Sequence, residues 1–532
     1  MTATMIDALE RRRLLAFAPI QYGSNGYDSG YEVATDAAGN TVVAGIFAHT
    51  IDFGAIQGGA ASNPLTAVGD TDVFIAKYDS GGHLLWAGQI GGIESDPKED
   101  APIDPNRAGG FVNRVGIQPN YLGEYINGVA LDASGNVFLG GTFFHTADFD
   151  PGAGKHELTA DEKYGLYDAF LVKLDSNGKL VWADAFGGQF NDVINGVAVD
   201  PQGNPVVTGY FTRRADFDPT SKGDFSIDAL GRDDIFVAKY TGAGGKLVWV
   251  DRIGGEQTDL AERDAGNGLA IDSNGNIFVT GTFGEDDVDF DPGPATYFLE
   301  GVKRTDAFLL ELSPRGKRVM AESIGGKGFD GGVKIALRGN RIFTASYFSG
   351  TIDVNPGKPV QELTSTADDR HTDLLISAYN IDGSLIWAKQ MGGEGYETIG
   401  GFGVAADGSV YTTGGFASTE DLGADFDPGP GTFFLNSVAG DDNFDDPNDS
   451  GRDFSYDIYV SRLSVNGKFL GARRIGSSGD DFGAGLAFAP TGDVVLTGQF
   501  RNTVSFATAG GTKKLKSKRV QDGFLIELNP DI

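Results

Sequence analysis

Short apolar runs alternate with turn residues along the whole chain, and few stretches show the spacing of an amphipathic helix. The clearest unit runs from Asp168 to Phe211, DAFLVKLDSNGKLVWADAFGGQFNDVINGVAVDPQGNPVVTGYF. DAFLVKL and KLVWADAF flank the turn Asp175-Ser176-Asn177-Gly178, and INGVAVD and PVVTGYF flank the turn from Asp200 to Asn204. β-Branched and aromatic runs cut this regularly by Asn, Asp and Gly predict antiparallel hairpins.

The pattern recurs seven times, which marks a repeat architecture. A Gly-x-Phe closes each second strand, at Phe47, Phe143, Phe211, Phe283, Phe348, Phe416 and Phe500, with Ser346 replacing the Gly once. An Asp opens each third strand, at Asp72, Asp168, Asp234, Asp306, Asp373, Asp457 and Asp522. Every tryptophan falls in a fourth strand: Trp86, Trp182, Trp249 and Trp387, with Met320 and Gly471 taking that place elsewhere. The seventh unit stops after its third strand. Leu15 to Gly23, LAFAPIQYG, lines up with LVWADAFGG and places Phe17 on the Trp182 position. An open sheet edge leaves backbone groups unpaired, so the expected fold is an all-β, single seven-bladed β-propeller whose last blade is closed by the strand at Leu15–Gly23. The expected units are 24–92, 93–188, 189–255, 256–326, 327–393, 394–477, and 478–532 with 15–23, behind a tail of residues 1–14.

Composition narrows the function. Eighty glycines suit many tight turns, and the lack of cysteine rules out disulfides. A net charge of −32 argues against a nucleic-acid partner, which needs a basic face, and suits a soluble acidic surface. No apolar run approaches a membrane span, and Met1 to Ala18 lacks the sustained apolar centre of a conventional signal peptide.

The motifs GVAVDPQGNPVVTGYF, DIFVAKY and KLVWVDRIGG resemble the bacterial SBBP-type β-propeller repeat over nearly the whole chain. The first hairpin is also similar to the NHL repeat, and LDSNGKLVW resembles the tryptophan turn of quinoprotein propellers. Leu9-Glu10-Arg11-Arg12-Arg13-Leu14-Leu15 resembles the Leu-Glu-x-Arg-x-Leu-Leu segment near the N-termini of many exported or surface proteins of planctomycete bacteria. The resemblances imply the propeller fold and an extracytoplasmic setting, secreted or at the cell surface, with no reaction attached.

Strand order then locates candidate chemistry. Turns within the two hairpins of each unit are short and share one face. The links between second and third strands and between units share the other, and length variation gathers there: Ile93 to Tyr125, Val438 to Tyr456, and the basic run from Lys513 to Arg519. Binding residues usually sit on such loops. This long-link face repeats an acidic motif at Asp148-Phe149-Asp150-Pro151-Gly152, Asp216-Phe217-Asp218-Pro219, Asp289-Phe290-Asp291-Pro292-Gly293 and Asp425-Phe426-Asp427-Pro428-Gly429, with a looser copy at Asp353-Val354-Asn355. Its acids can cap a turn while the Phe staples the loop to its blade, or supply oxygen ligands to calcium. A sharper calcium candidate is Asp446-Pro447-Asn448-Asp449-Ser450-Gly451, which opens like a D-x-[DN]-x-[DNS]-G loop; Asp446, Asn448, Ser450 and, at position twelve, Asp457 are its candidate ligands. The third-strand aspartates are expected to accept backbone N–H groups where each third strand begins, and the tryptophans to pack between blades.

Catalytic motifs are missing: there is no cysteine nucleophile, H-E-x-x-H, G-x-S-x-G or P-loop. His49 and His145 share one position of their units, where Arg213 and Ser349 stand in others. The expected function is therefore non-catalytic: a monomeric binding scaffold for a protein or glycan ligand on the long-link face, with calcium as the one candidate cofactor. The alternative is a carbohydrate-active hydrolase or lyase with its site at the channel mouth near Asp148 and His145.

Overall fold

The computed structural model describes residues 17–54, 64–92, 124–161, 167–218, 225–256, 263–284, 287–355, 359–366, 371–418, 423–438, 455–508 and 511–530. These carry no helix and seven four-stranded antiparallel sets. The first four sets are Ser29–Thr35, Thr41–Phe47, Asp72–Tyr78 and Leu84–Gly92; Tyr125–Leu131, Val137–Phe143, Asp168–Leu174 and Leu180–Gly188; Asp192–Val199, Pro205–Asp216, Ser226–Tyr240 and Leu247–Ile253; and Ala265–Ile271, Ile277–Phe283, Asp306–Leu312 and Arg318–Gly326. The last three are Gly331–Arg338, Arg341–Phe348, Asp373–Asn380 and Leu385–Met391; Gly401–Val404, Val410–Ala417, Asp457–Leu463 and Phe469–Ile475; and Phe482–Phe488, Val494–Phe500, Asp522–Leu528 and, from the other end of the chain, Ile20–Tyr22.

The first strand of each set lies innermost. It packs against the first strand of the next set, and Phe482–Phe488 returns to Ser29–Thr35, so the inner strands form a closed ring. The second and third strands, such as VFLGGTF and DAFLVKL, are buried along their whole length because both faces meet neighbouring sheets. Repeated polar atoms tie the blades together near the axis. The amides of Asn127, Asn195 and Asn267 donate to Ile194, Gly266 and Gly332 carbonyls of the following blade, at 2.9, 3.1 and 2.9 Å. At the periphery, the indole N–H groups of Trp86, Trp182 and Trp387 donate to carbonyls in the next blade's turn, Ser176, Gly242 and Val465, at 3.2, 3.2 and 3.0 Å. The tryptophans thus pack between blades, as their repetition predicts.

Closure by the N-terminal strand differs in register from the sequence alignment. Ile20 faces Leu525, Gln21 faces Phe524 and Tyr22 faces Gly523. In the second blade the matching pair is Phe186 opposite Ala169, so Tyr22 takes the Phe186 place and the strand sits one residue away from the expected alignment. It is also shorter, Ile20–Tyr22, and Leu15 lies outside the described residues. Tyr22 sets the register. Its ring fills the space over Gly523, and its hydroxyl meets Thr497 Oγ1 at 2.6 Å and the Phe524 carbonyl at 3.0 Å. Phe17 precedes the strand, yet it lies over Gly82 as Trp86 lies over Gly178, and its N–H donates to Glu527 at 3.0 Å.

Candidate binding face and its acidic junctions

The two faces differ in what their acids do. On the short-turn face Asp36 Oδ1 accepts from Ala38 N and Asn40 N at 3.0 and 2.9 Å, and Asp132, Asp200 and Asp272 repeat the arrangement. A groove between the first two blades on this face is lined by Asp36, Lys77, Trp86, Ser134 and Ser176. Its polar groups are already engaged, with Lys77 at 3.3 Å from Asp36.

On the opposite face the acidic motifs build small hairpins at the rim. Thr146–Asp148 pairs with Glu157–Thr159, and Ala147 and Asp148 pair with Gly92 and Gly91, the end of the preceding blade's outermost strand. Gly187 and Gly188 receive Asp216 and Ala215 in the same way, and Gly325 and Gly326 receive Asp353 and Ile352. Blades splay apart with distance from the axis, and these hairpins fill the wedge and cover an exposed sheet edge. Asp148 Oδ1 accepts from Asp150 N and His156 N at 3.0 and 2.8 Å, and Asp150 Oδ1 from Gly152 N at 2.9 Å. Asp289 with Asp291 and Asp425 with Asp427 do the same, and Asp216 accepts from Asp218 N. Phe149, Phe217, Phe290 and Phe426 are buried, each in aromatic contact with its own blade. One oxygen of each of these acids, Asp218 apart, therefore holds a turn. Asp148 stands at the outer rim, so it does not line the channel mouth where the enzyme alternative places it.

Third-strand aspartates accept the backbone N–H groups that precede their strands: Val68 to Asp72, Asp161 to Asp168, Leu230 to Asp234, Val302 to Asp306, Thr366 to Asp373, Val438 to Asp457 and Lys518 to Asp522. Each carboxyl occupies the place of a missing side chain on a glycine closing the fourth strand: a Cβ on Gly91, Gly254, Gly325 or Gly476 would lie within 2.4 Å of Asp72, Asp234, Asp306 or Asp457. Burial pushes Asp72, Asp234 and Asp306 up to about 6, and Asp168 and Asp457 to about 7.

A second ring of acids escaped the sequence reading. Asp28, Glu124, Asp192, Asp264, Asp330, Glu397 and Asp481 stand at or just before the seven first strands, all buried. Each follows the third-strand acid of the preceding blade, and five of these pairs interact electrostatically: Asp522 with Asp28, Asp168 with Asp192, Asp306 with Asp330, Asp373 with Glu397, and Asp457 with Asp481. Burial first, and the neighbouring acid in addition, raise Asp330 to about 8 and push Asp192, Glu397 and Asp481 well above the carboxylate range. Alignment on the first strand would have shown this ring; the alternation of Asp with Glu and the changing spacing hid it.

The remaining candidates are distributed as follows. Asp446, Asn448 and Ser450 lie outside the described residues, as does the Leu9–Leu15 segment. Asp457 keeps its third-strand duty, with Oδ2 accepting from Val438 N at 2.8 Å and from Arg474 at 3.0 Å. Among the described residues no three acidic or histidine side chains gather into a metal-binding group. His49 and His145 have φ of 59° and 56°, and three of the residues matching them, Arg213, Gly350 and Asn502, are also at positive φ, whereas Ser418 of the sixth unit is not. Ser349, expected in that position, comes one residue earlier. The shared property is a left-handed turn, which explains the repetition without chemistry. In the channel, Lys334 of the fifth blade reaches Glu32 of the first at 2.8 Å, and these blades are not neighbours, so the ion pair spans the axis.

Antiparallel sheets radiating from a ring of inner strands, with the same acids and glycines at successive junctions, define a β-propeller assembled from an internal repeat. The repeat is of a known kind: residues 248–282, from the fourth strand of the third blade to the second strand of the fourth, match the SBBP family, a beta-propeller repeat. Over 455 residues, 74 % of its length, the chain is 22 % identical to the uncharacterized WD repeat-containing protein L264 of Acanthamoeba polyphaga mimivirus, and it spans 31 % of that protein. Similar solved structures include the quinohemoprotein alcohol dehydrogenase from Comamonas testosteroni (12 % identity, 97 % of this chain and 77 % of that one, TM-score 0.39). Others are the β-propeller domain of the Trilobed protease from Pyrococcus furiosus (10 %, 94 % and 94 %, 0.38) and BamB from Moraxella catarrhalis (12 %, 93 % and 96 %, 0.35). No helix among the described residues is long and apolar enough to cross a membrane.

Proposed function

We propose that the protein is a non-catalytic, monomeric scaffold, exported or at the cell surface, that binds a protein or glycan ligand through the rim hairpins of its long-link face. The observation that carries this reading is a set of exposed aromatic side chains on those hairpins. Phe298 and Phe434 are more than half exposed, Phe225 nearly so, and Tyr297 and Phe433 stand beside them. Each sits on a backbone fixed by acid-capped turns and by pairing to the neighbouring blade. Rigid aromatics of this kind offer a large contact area at low entropic cost, to a sugar face or to a protein pocket alike. The channel supports the same reading: its inner strands, such as YINGVAL, AGNGLAI and FGAGLAF, are rich in Gly, Ala and aliphatic residues, and Lys334 is neutralised by Glu32. Calcium ordering of the loop at Asp446, Asn448 and Ser450 belongs to this proposal as well.

Binding to a glycan array and to partners captured by cross-linking provides the ligand, and Phe298→Ala with Phe434→Ala then provides the test. The expected result is a loss of affinity of at least tenfold, about 1.4 kcal/mol, with an unchanged melting temperature. Undiminished binding in the double variant would sink the proposal.

A further inference from the structure

The junction between the fifth and sixth blades brings two buried carboxyl groups together, with no cation beside them among the described residues. Asp373, 0 % exposed, uses Oδ2 to accept from Thr366 N at 2.8 Å and from the Gln390 amide, while its Oδ1 has no hydrogen-bond partner. Glu397, 5 % exposed, comes from the next blade, and neither of its carboxylate oxygens accepts a well-formed hydrogen bond, the Gly393 N–H giving it only a weak contact. Asp373 Oδ1 and Glu397 Oε2 lie 2.8 and 3.0 Å from the point a Cβ on Gly392 would occupy. The glycine thus leaves open the space on which two bare oxygens, Asp373 Oδ1 and Glu397 Oε2, converge, with the bare Oε1 on the same Glu397 carboxyl. The junction between the second and third blades has the same geometry with a single bare oxygen. Asp168 (6 % exposed) directs an unpartnered Oδ1, and Asp192 (1 % exposed) its Oδ2, at the empty Cβ position of Gly187, each 2.7 Å away; that Asp192 Oδ2 also accepts from Gly188 N at 2.7 Å, and its Oδ1 from Thr212 N at 3.4 Å.

Two carboxylates held together in a low-dielectric interior repel unless a proton or a cation lies between them. A single shared proton would serve one oxygen of each acid and leave the second oxygen of Glu397 bare. A cation engages all three. The donors are oxygens only, one acid can bind through both of its oxygens, and the cradle would be filled by any side chain in place of the glycine. These are the preferences of a hard divalent ion.

We infer that a divalent cation of the calcium type bridges adjacent blades between Asp373 and Glu397, and equivalently between Asp168 and Asp192. No third acidic or histidine side chain joins either pair among the described residues, so backbone carbonyls and water complete the shell. Asp306 and Asp457 also carry an unpartnered Oδ1, but their neighbours Asp330 and Asp481 have backbone donors on both oxygens, so the inference is confined to the two junctions named, where both acids reach the glycine's open position. The inference stands apart from the ligand of the long-link face and from the loop at Asp446.

Equilibrium dialysis of the full chain against calcium chloride, together with thermal unfolding in excess EDTA and then in millimolar calcium, tests it. The expected result is two or more ions per chain and an upward shift in melting temperature. Glu397→Gln and Asp168→Asn, which keep side-chain size, should each remove one ion, and the double variant both, while Asp446→Ala should leave these two in place. Terbium provides a second readout on the unaltered chain. Tyr459, whose hydroxyl donates to Thr398 O at 2.8 Å beside Glu397, should sensitise its luminescence, and calcium should quench it by competition. Unchanged calcium binding in the double variant would overturn the inference. So would a chain indifferent to calcium whose Glu397→Gln variant melts higher at about pH 8, the mark of a shared proton.

Discussion

Gly254 shows how much of this fold rests on single atoms. Its missing Cβ is replaced by the Asp234 carboxyl, whose Cγ would stand 2.1 Å from any added methyl group. Gly254→Ala should therefore cost about 1–3 kcal/mol, read as a lower midpoint in urea, whereas Gly244→Ala, with open space around it, should change little. Asp251 makes a complementary case. Burial holds its carboxyl up at about 7, and its Oδ2 has no hydrogen-bond partner. Asp251→Asn removes the ionisation and should raise the melting temperature most at about pH 8, less at about pH 5, and little at about pH 3, below the unfolded carboxyl's pKa. The third-strand acids were legible in the sequence as a repeated mark, while the Gly-Gly that ends KLVWVDRIGG carried no assigned role. Their partnership was not legible, because Gly254 and Asp234 meet only when the third and fourth strands pair.

At the scale of the element, the rim hairpins and the closing strand behave differently under sequence reading. The hairpins were legible as acid-capped turns because Asp-Phe-Asp-Pro-Gly carries its own geometry: both acids bond to backbone N–H groups within a few residues. That each hairpin docks on the preceding blade was invisible, since the receiving Gly-Gly lies in another unit. The closing strand was legible as a missing fourth strand, but its register was set by a long-range fit, Tyr22 against Gly523, Thr497 and Phe524, which no local pattern reports. Tyr22 is fully buried, with Phe74 and Phe53 rings 5.0 and 5.8 Å away. Tyr22→Ala should cost about 3–5 kcal/mol, and removal of residues 17–23 should lower the melting temperature further. A truncated chain that melts like the intact one would show that the clasp does not close the ring.

For the whole molecule, the sum of its buried acids sets a direction with pH. Asp251 and Glu527 are both raised to about 7, chiefly by burial. Such carboxyls ionise in the unfolded chain at ordinary acidic pH but keep their protons in the folded one, so their contribution is fully present below the unfolded pKa and is lost as pH rises through the folded value. The melting temperature should fall between about pH 5 and about pH 8. Added salt should recover part of that loss, because it screens the repulsion implied by a net charge of −32. The Asp251→Asn variant separates the two causes, since it removes the local ionisation and barely alters the net charge.

The clasp has a mechanical consequence. Three residues, Ile20 to Tyr22, connect one end of the chain to Asp522–Leu528 at the other, so a pull applied to both ends loads one short ladder and leaves the other six blades slack. Under tension the ring should first spring open at this seam, in one small step, and only then lose its blades one after another.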